Sequence, residues 1–450
     1  MYDSLNILDT KILVNARLVE GCIAIRGGKI IKVGKRASMP KASKCVDGRG
    51  LVAVAGLIDA HVHLRDMQLS DKEDFYTGTC AAAVGGFTTV LDMPNTLPPT
   101  DSALRLKEKQ ETARSKVVVN VGFHALPPRH VEDVREIADC GAFSFKLYMN
   151  QGSFEEFQSE KMLASLLEML GSAGNLITVH AEDIAQIERS RRLLAQREEG
   201  TSQAFLKIHS PQAELSAVEK ITKASAQAGA RIHVCHVTLP QSVRMLERVR
   251  RAGLSVSIEA TPHHLLLDES KVAKLSGFAI MVPPLRKKSY IAGLRKELGA
   301  RMIDIVASDH APHTIAEKKN PDFSKIPAGI PGLETTLPLL LTCVKRGYFS
   351  LSTVVQALTA NPARIFGIPN KGVITEGADA DITLIDLKAR SRIKPERFLS
   401  KAKYSPFAGF ECTGKAARTF VMGKLVMDHG EIVAEKGSGS IIGAKTGRSS

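Results

Sequence analysis

Two kinds of hydrophobic pattern divide the chain. In residues 1–55 and 372–435, short apolar runs alternate with polar residues and are broken by glycines. Examples are ILVNARLV, CIAIRGGKIIKVG and KCVDGRGLVAV near the start, and GVITEGADADITLIDL and TFVMGKLVMDHGEIV towards the end. A period of two with glycine punctuation predicts half-buried strands. Strand clusters at both ends predict one small β-sandwich module built from the two termini.

Between them the runs become almost continuously apolar: GLIDAHVH (56–63), TTVLDMP (88–94), VVVNVGFH (117–124), FSFKLYM (143–149), LITVHAE (176–182), RIHVCHV (231–237), SVSIEATPHH (255–264) and IDIVASDH (303–310). Such strands, separated by helical stretches, mark a parallel sheet buried on both faces. Eight of them predict a (β/α)8 barrel over residues 56–371. An open doubly wound sheet is the alternative, but no GxGxxG turn follows the first run. Ser70 is placed to cap a helix over DKEDFYTGTCAAAV, which Gly85-Gly86 would close. KITKASAQAGA and RMLERVRRAGL repeat the order helix, glycine, strand. Residues 436–450 are rich in Gly, Ser and Lys and are expected to form a loose tail.

A chain of 450 residues suits a barrel plus a smaller module. Its seven cysteines are an odd number without a CxxC pair, so reduced thiols are expected; only Cys235 falls inside a motif. The start does not have the basic-then-apolar profile of a signal peptide. No apolar run approaches the roughly 20 residues that span a membrane. Both point to the cytoplasm. The net charge of +14 is spread along the chain, Trp is absent and no nucleic-acid motif occurs. The charge is read as a solvated surface able to steer an anionic substrate.

The polar residues fall in telling places. His61, His63, Asn95, His124, Lys146, His180, His236, His264, Asp309 and His310 lie at or near the carboxyl ends of the expected strands. In a barrel those ends open on one face, where active sites form. His61 and His63, two apart, face the same side of a strand and can share a divalent ion; two merely capped histidines are the alternative. His180 and His236 end later strands. Each alone reads as a satisfied core histidine, but as a set with HxH they read as ligands for zinc or a similar ion. Asp309 can bind metal and carry a proton, or simply cap a helix. Lys146 sits within an apolar strand, where an ammonium is costly. It either snorkels, pairs in the interior, or has a lowered pKa that lets the amine take up CO2.

HVHLRD, DMPNT, FKLYMN, VHAED, CHVT, EATPHHL, ASDHAPHT, GIPGLETTLPLLL and NPARIFGI together resemble the dihydroorotases of the cyclic-amidohydrolase superfamily. The likeness runs from about residue 50 to 370. FKLYMN, with its lysine, is similar to the form in the animal multifunctional pyrimidine-synthesis protein and in archaea. The resemblance implies reversible cyclisation of N-carbamoyl-L-aspartate to dihydroorotate, a step towards UMP. It implies one zinc on His61, His63 and Asp309, a second on His180 and His236, and N6-carboxylated Lys146 bridging both. Asp309 would carry the proton, and Arg65, Asn95 and His313 would hold the substrate carboxylate. The loop Asn150–Phe154 occupies the place of the family's lid. Cys235 and Glu259 match positions tied to a third zinc in the animal form. Alternation along a strand would turn Cys235 away from His236, however, and a buried free thiol is the plainer reading. Allantoinases and dihydropyrimidinases share HxH and the lysine, but Arg65 and Asn95 favour a substrate bearing a carboxylate. A metal-free scaffold homologue should have lost ligands, and none is missing here. A homodimer is the expected assembly, and association with aspartate carbamoyltransferase is allowed by family habit.

Overall fold

A computed structural model describes residues 4–14, 16–152, 159–194 and 201–444, so residues 153 and 154 of the expected lid lie outside the described residues. Each of the eight apolar runs contains a strand: β1 (Leu57–Val62), β2 (Phe87–Asp92), β3 (Asn120–Phe123), β4 (Phe145–Tyr148), β5 (Leu176–His180), β6 (Arg231–Val234), β7 (Val256–Ala260) and β8 (Ile305–Val306). β1 to β3 pair in parallel, as do β4 to β8. Two further parallel pairings, Ala125 with Phe145 and Val62 with His310, join the two sets. The ring closes, and the open-sheet alternative is set aside. β1 and β2 are buried at every residue, which is why their sequences show no alternation.

The remaining strands form one hydrogen-bonded sheet of nine, contributed by both termini. Its seam is the antiparallel pairing of Val52–Ala55 with Ile382–Arg392, in register Ala55 to Ile382. The chain enters the barrel two residues later through Gly56, whose amide donates to Asp381 O at 2.7 Å. A Cβ at Gly56 would lie 2.1 Å from Thr88 Oγ1, so only glycine fits this corner.

Two local expectations change. The first barrel helix spans Phe75–Val84, and its cap is Asp74, not Ser70. Asp74 accepts from Thr77 N while Thr77 Oγ1 accepts from Asp74 N, a reciprocal box that outcompetes a lone serine upstream. Residues 436–444 are not loose. They run beside β3, with Gly439 N donating to Val117 O (2.9 Å), Ser440 O accepting from Val121 N (2.8 Å) and Ile442 N donating to Val121 O (2.9 Å). Their glycines permit the contact, since a Cβ on Gly439 would sit 2.3 Å from Val119 O.

A buried ion pair fastens the end of β2 beneath the site. Lys109 Nζ lies 2.7 Å from Asp92 Oδ2, both side chains being almost wholly enclosed, and donates to Met93 O at 2.9 Å. The other Asp92 oxygen accepts from Leu64 N at 2.6 Å, tying in the segment after β1. Lys109→Met leaves an uncompensated buried carboxylate, so a loss of about 3–5 kcal/mol in denaturant unfolding is expected. A variant as stable as the parent would show that the pair contributes nothing.

Candidate active site

Several carboxyl-end residues fall together at one mouth of the barrel. β1 carries His61, and His63 follows just past its end. Asp309 follows β8 with φ of 46°, a left-handed conformation that departs from the strand path. Asp309 Oδ1 stands 3.4 Å from His61 Nε2 and 3.3 Å from His63 Nε2. These three buried residues are close enough to share one metal ion.

The other ring nitrogens are engaged from behind. His61 Nδ1 contacts Glu259 Oε1 at 2.8 Å, and His63 Nδ1 contacts Asn95 Oδ1 at 2.7 Å. Neither oxygen acceptor can donate, which fixes each ring with its Nε2 facing Asp309. Asn95 thus orients His63, and its amide NH2 makes no hydrogen bond among the described residues.

His180 and His236 meet directly, with Nδ1 of the first 3.0 Å from Nε2 of the second. Glu182 Oε2 holds His180 Nε2 at 2.8 Å, so the nitrogen available for a ligand is Nδ1. The His236 ring centroid is 5.3 Å from that of His61, which brings the two histidine pairs into one cluster. His236 Nδ1 is buried without a partner.

Cys235 differs from expectation. β6 ends at Val234, and His236 has φ of 35°. Strict alternation therefore stops, and both side chains face the site. Cys235 Sγ receives a hydrogen bond from Lys146 Nζ at 3.0 Å. Lys146 is fully enclosed, with its Nζ 5.3 Å from the centre of the Tyr148 ring. Among the described residues it has no carboxylate partner, so it is neither a snorkelling surface lysine nor a member of an internal ion pair. Cys235, Glu259 and His61 also form a set close enough to share an ion. Glu259 is already engaged by His61, by His236 N at 3.0 Å and by His233 Nε2 at 3.2 Å.

Electrostatics favour a cation. Burial alone would lower the His61 pKa, but the Glu259 and Asp309 carboxylates raise it to about 10. Burial works against the Asp309 charge, yet His61 and His63 hold its carboxyl below the usual range. Burial pushes His63 down to about 4 and also lowers His180 and His236, leaving neutral imidazoles able to ligate. Two anions around His61 thus demand positive charge. A proton on His61 meets that demand here, and a divalent ion among His61, His63 and Asp309 would meet it instead.

Arg65 lies beside this cluster with φ of 59° and is buried. Its guanidinium contacts Pro312 O (3.3 Å) and His313 Nε2 (3.2 Å) and forms no ion pair among the described residues. His313 Nδ1 faces the Lys72 ammonium at 3.3 Å, and its Nε2 faces Ala328 O at 3.0 Å. That network assigns the proton to Nε2. The His313 N–H is taken by Ala328 O, so Arg65 points an N–H at a nitrogen that cannot accept it, and that donor lacks an acceptor.

Three strand-end histidines stay outside the cluster. His124 is bound at both nitrogens by Ser144 Oγ and Ala60 O, and His264 by Thr261 Oγ1 and Pro283 O. His310 Nδ1 accepts from Gly332 N. Two residues were missed by the sequence reading. Glu182, two positions beyond His180 in VHAED, could have been suspected from its spacing. His263 has a buried, unpartnered Nε2, and burial lowers it to about 4. Only its place in PHH hinted at it.

Residues 52–426 match the model of the amidohydrolase family. A dihydroorotase of Methanothermobacter thermautotrophicus is 40% identical over 423 residues, covering 94% of each chain. One of Bacillus cytotoxicus is 36% identical over 90% of this chain and 93% of its own. Among solved structures, an L-hydantoinase (dihydropyrimidinase) from Arthrobacter aurescens superposes with a TM-score of 0.93 at 29% identity, covering 98% of this chain and all of the other. The barrel, the clustered strand ends and these relatives lead to one conclusion: the chain belongs to the amidohydrolase family, among its dihydroorotases.

Proposed function

We infer that this enzyme interconverts dihydroorotate and N-carbamoyl-L-aspartate, using two zinc ions bridged by carboxylated Lys146. The observation that carries the substrate is Arg65: a buried guanidinium with no carboxylate partner among the described residues, facing a histidine nitrogen that cannot accept its N–H. A substrate carboxylate would supply the missing acceptor in a charge-assisted, bidentate contact. Neutral rings such as dihydrouracil offer nothing there.

His61, His63 and Asp309 would hold one ion, His180 and His236 the other, and the Lys146 carbamate both. Bound there, the metal pair supplies an acidified water and a polarised carbonyl. The protein's own residues do the rest. Asp309, ionised at neutral pH, takes the proton of the attacking water as its oxygen joins the ring carbonyl. It delivers that proton to the ring nitrogen as the C–N bond breaks. Ring closure runs the same proton path backwards. Arg65 and the free amide of Asn95 fix the carboxylate, with His313 beside Arg65 completing that pocket, which orients the scissile bond. Glu259 and Glu182 hold His61 and His180 in the ligating orientation. We assign Cys235 and Glu259 to this support and not to a third metal.

Parallel assays with dihydroorotate, allantoin and dihydrouracil test the reading, together with metal analysis of the purified protein. Turnover of dihydroorotate alone is expected. Preference for either other ring, or activity without metal, overturns it. Arg65→Met should raise KM for dihydroorotate about ten- to a hundred-fold, the weight of a charged hydrogen bond, with metal content unchanged. An unchanged KM would give Arg65 another role.

A further inference from the structure

Beyond the residues facing the substrate, one fully buried lysine lacks an evident reason to be there. Lys318 Nζ donates to three main-chain carbonyls: Ile280 O (3.0 Å), Pro327 O (2.9 Å) and Gly329 O (2.9 Å). It has no exposed surface and forms no ion pair among the described residues. Burial pushes it down to about 7, against the pull of Glu317.

These carbonyls belong to two segments. Residues 326–330 form a strap that pairs with the stretch after β8: His310 pairs with Ile330, and Ala311 N donates to Ile330 O at 2.9 Å. Ile280 lies in the connection after β7 and also accepts from Gly329 N at 2.9 Å. The strap's middle carbonyl, Ala328 O, is the one that receives His313 Nε2–H. Lys318 therefore grips the strap on both sides of the group that orients His313.

Tyr404, from the segment joining the terminal strands, grips it from the other side. Its hydroxyl donates to Gly329 O at 3.3 Å. Lys318 Nζ lies 5.8 Å from the centre of its ring. Gly329 allows this crowding, since a Cβ there would sit 2.3 Å from Ala311 O.

We propose that Lys318, with Tyr404, is a positioning residue for substrate binding: it locks the 326–330 strap so that His313 stays in place against Arg65 and the Arg65 guanidinium presents its unpaired N–H to the substrate carboxylate. The inference rests on the dihydroorotase reading above. It assigns to a buried cation an effect on KM that neither the metal ligands nor the proton carrier would produce.

The test uses Lys318→Met, Lys318→Arg and Tyr404→Phe in the metal-loaded enzyme, with kcat, KM for dihydroorotate and metal content measured for each. Lys318→Met should raise KM about ten-fold, the scale of one or two lost hydrogen bonds, with kcat and metal content near wild type. Arginine, which keeps the charge and donors, should recover part of that loss. An arginine variant no better than methionine counts against the proposal. If Lys318→Met does not fold, Tyr404→Phe decides: the loss of one hydroxyl should raise KM about three-fold without changing kcat. Unshifted KM in folded variants overturns the proposal, and so does a fall in kcat and metal content that matches the rise in KM. Wild-type enzyme unable to turn over dihydroorotate would instead defeat the functional reading beneath it.

Discussion

Asp309→Asn is expected to lower kcat by about a thousand-fold or more, towards the upper range for general acid–base catalysis. The amide has nearly the shape of the carboxylate and can still offer one oxygen to the His61 and His63 nitrogens that face it. It cannot accept the proton released by the attacking water, nor return one to the ring nitrogen. Both directions of the reaction should therefore fail together. The measurement is kcat with dihydroorotate and, separately, with carbamoyl-aspartate, alongside metal content. Metal retained with kcat lost assigns the defect to proton transfer. Near-normal kcat removes Asp309 from that role, and loss of metal would make it a ligand first.

The barrel was legible because its strands are buried on both faces. Eight apolar runs, from GLIDAHVH to IDIVASDH, each hold a strand, and helices ending in glycine separate several of them. What periodicity could not supply was local competition. Ser70 and Asp74 are both good caps, and only the reciprocal contact with Thr77 decides between them. Residues 436–444 of the expected tail were misjudged for a related reason, and residues 445–450 lie outside the described residues. Gly and Ser read as loose, yet glycine is also what lets a backbone lie against another, as Gly439 does against Val119.

The site divides the same way. The residues at strand ends could be listed from the sequence, since topology alone gathers them. Which of them turn inward could not. His124 and His264 have the same standing in the sequence as His180, but both nitrogens of each are satisfied by neighbours distant in the chain. Cys235 was expected to point away from His236 because strands alternate, a rule that ends where the strand ends and φ turns positive. Supporting partners such as Glu259 behind His61 and Lys318 beneath the strap are long-range contacts with no periodic trace.

Lys146→Ala is expected to have the larger effect: loss of the metal pair and a fall of at least about 10⁴-fold in kcat/KM, as when one member of a group acting as a unit is removed. Lys146 is a fully enclosed amine whose only hydrogen-bond partner among the described residues is a thiol, with no carboxylate facing it. The neutral amine is the nucleophile for CO2: its nitrogen forms the new C–N bond, and one proton leaves to solvent, giving a carbamate anion with two ligating oxygens. Alanine has no atom to carry that anion, and His180 and His236, both neutral, would be left without a negative partner for their ion. The decisive comparison is reconstitution of metal-stripped enzyme with zinc, with and without bicarbonate. Wild type should recover activity and its full metal content only when bicarbonate is present, and Lys146→Ala under neither condition. A variant with two metals and normal turnover, or a wild type indifferent to bicarbonate, would mean that the lysine acts as an amine and that the bridge between the two halves of the histidine cluster must come from elsewhere.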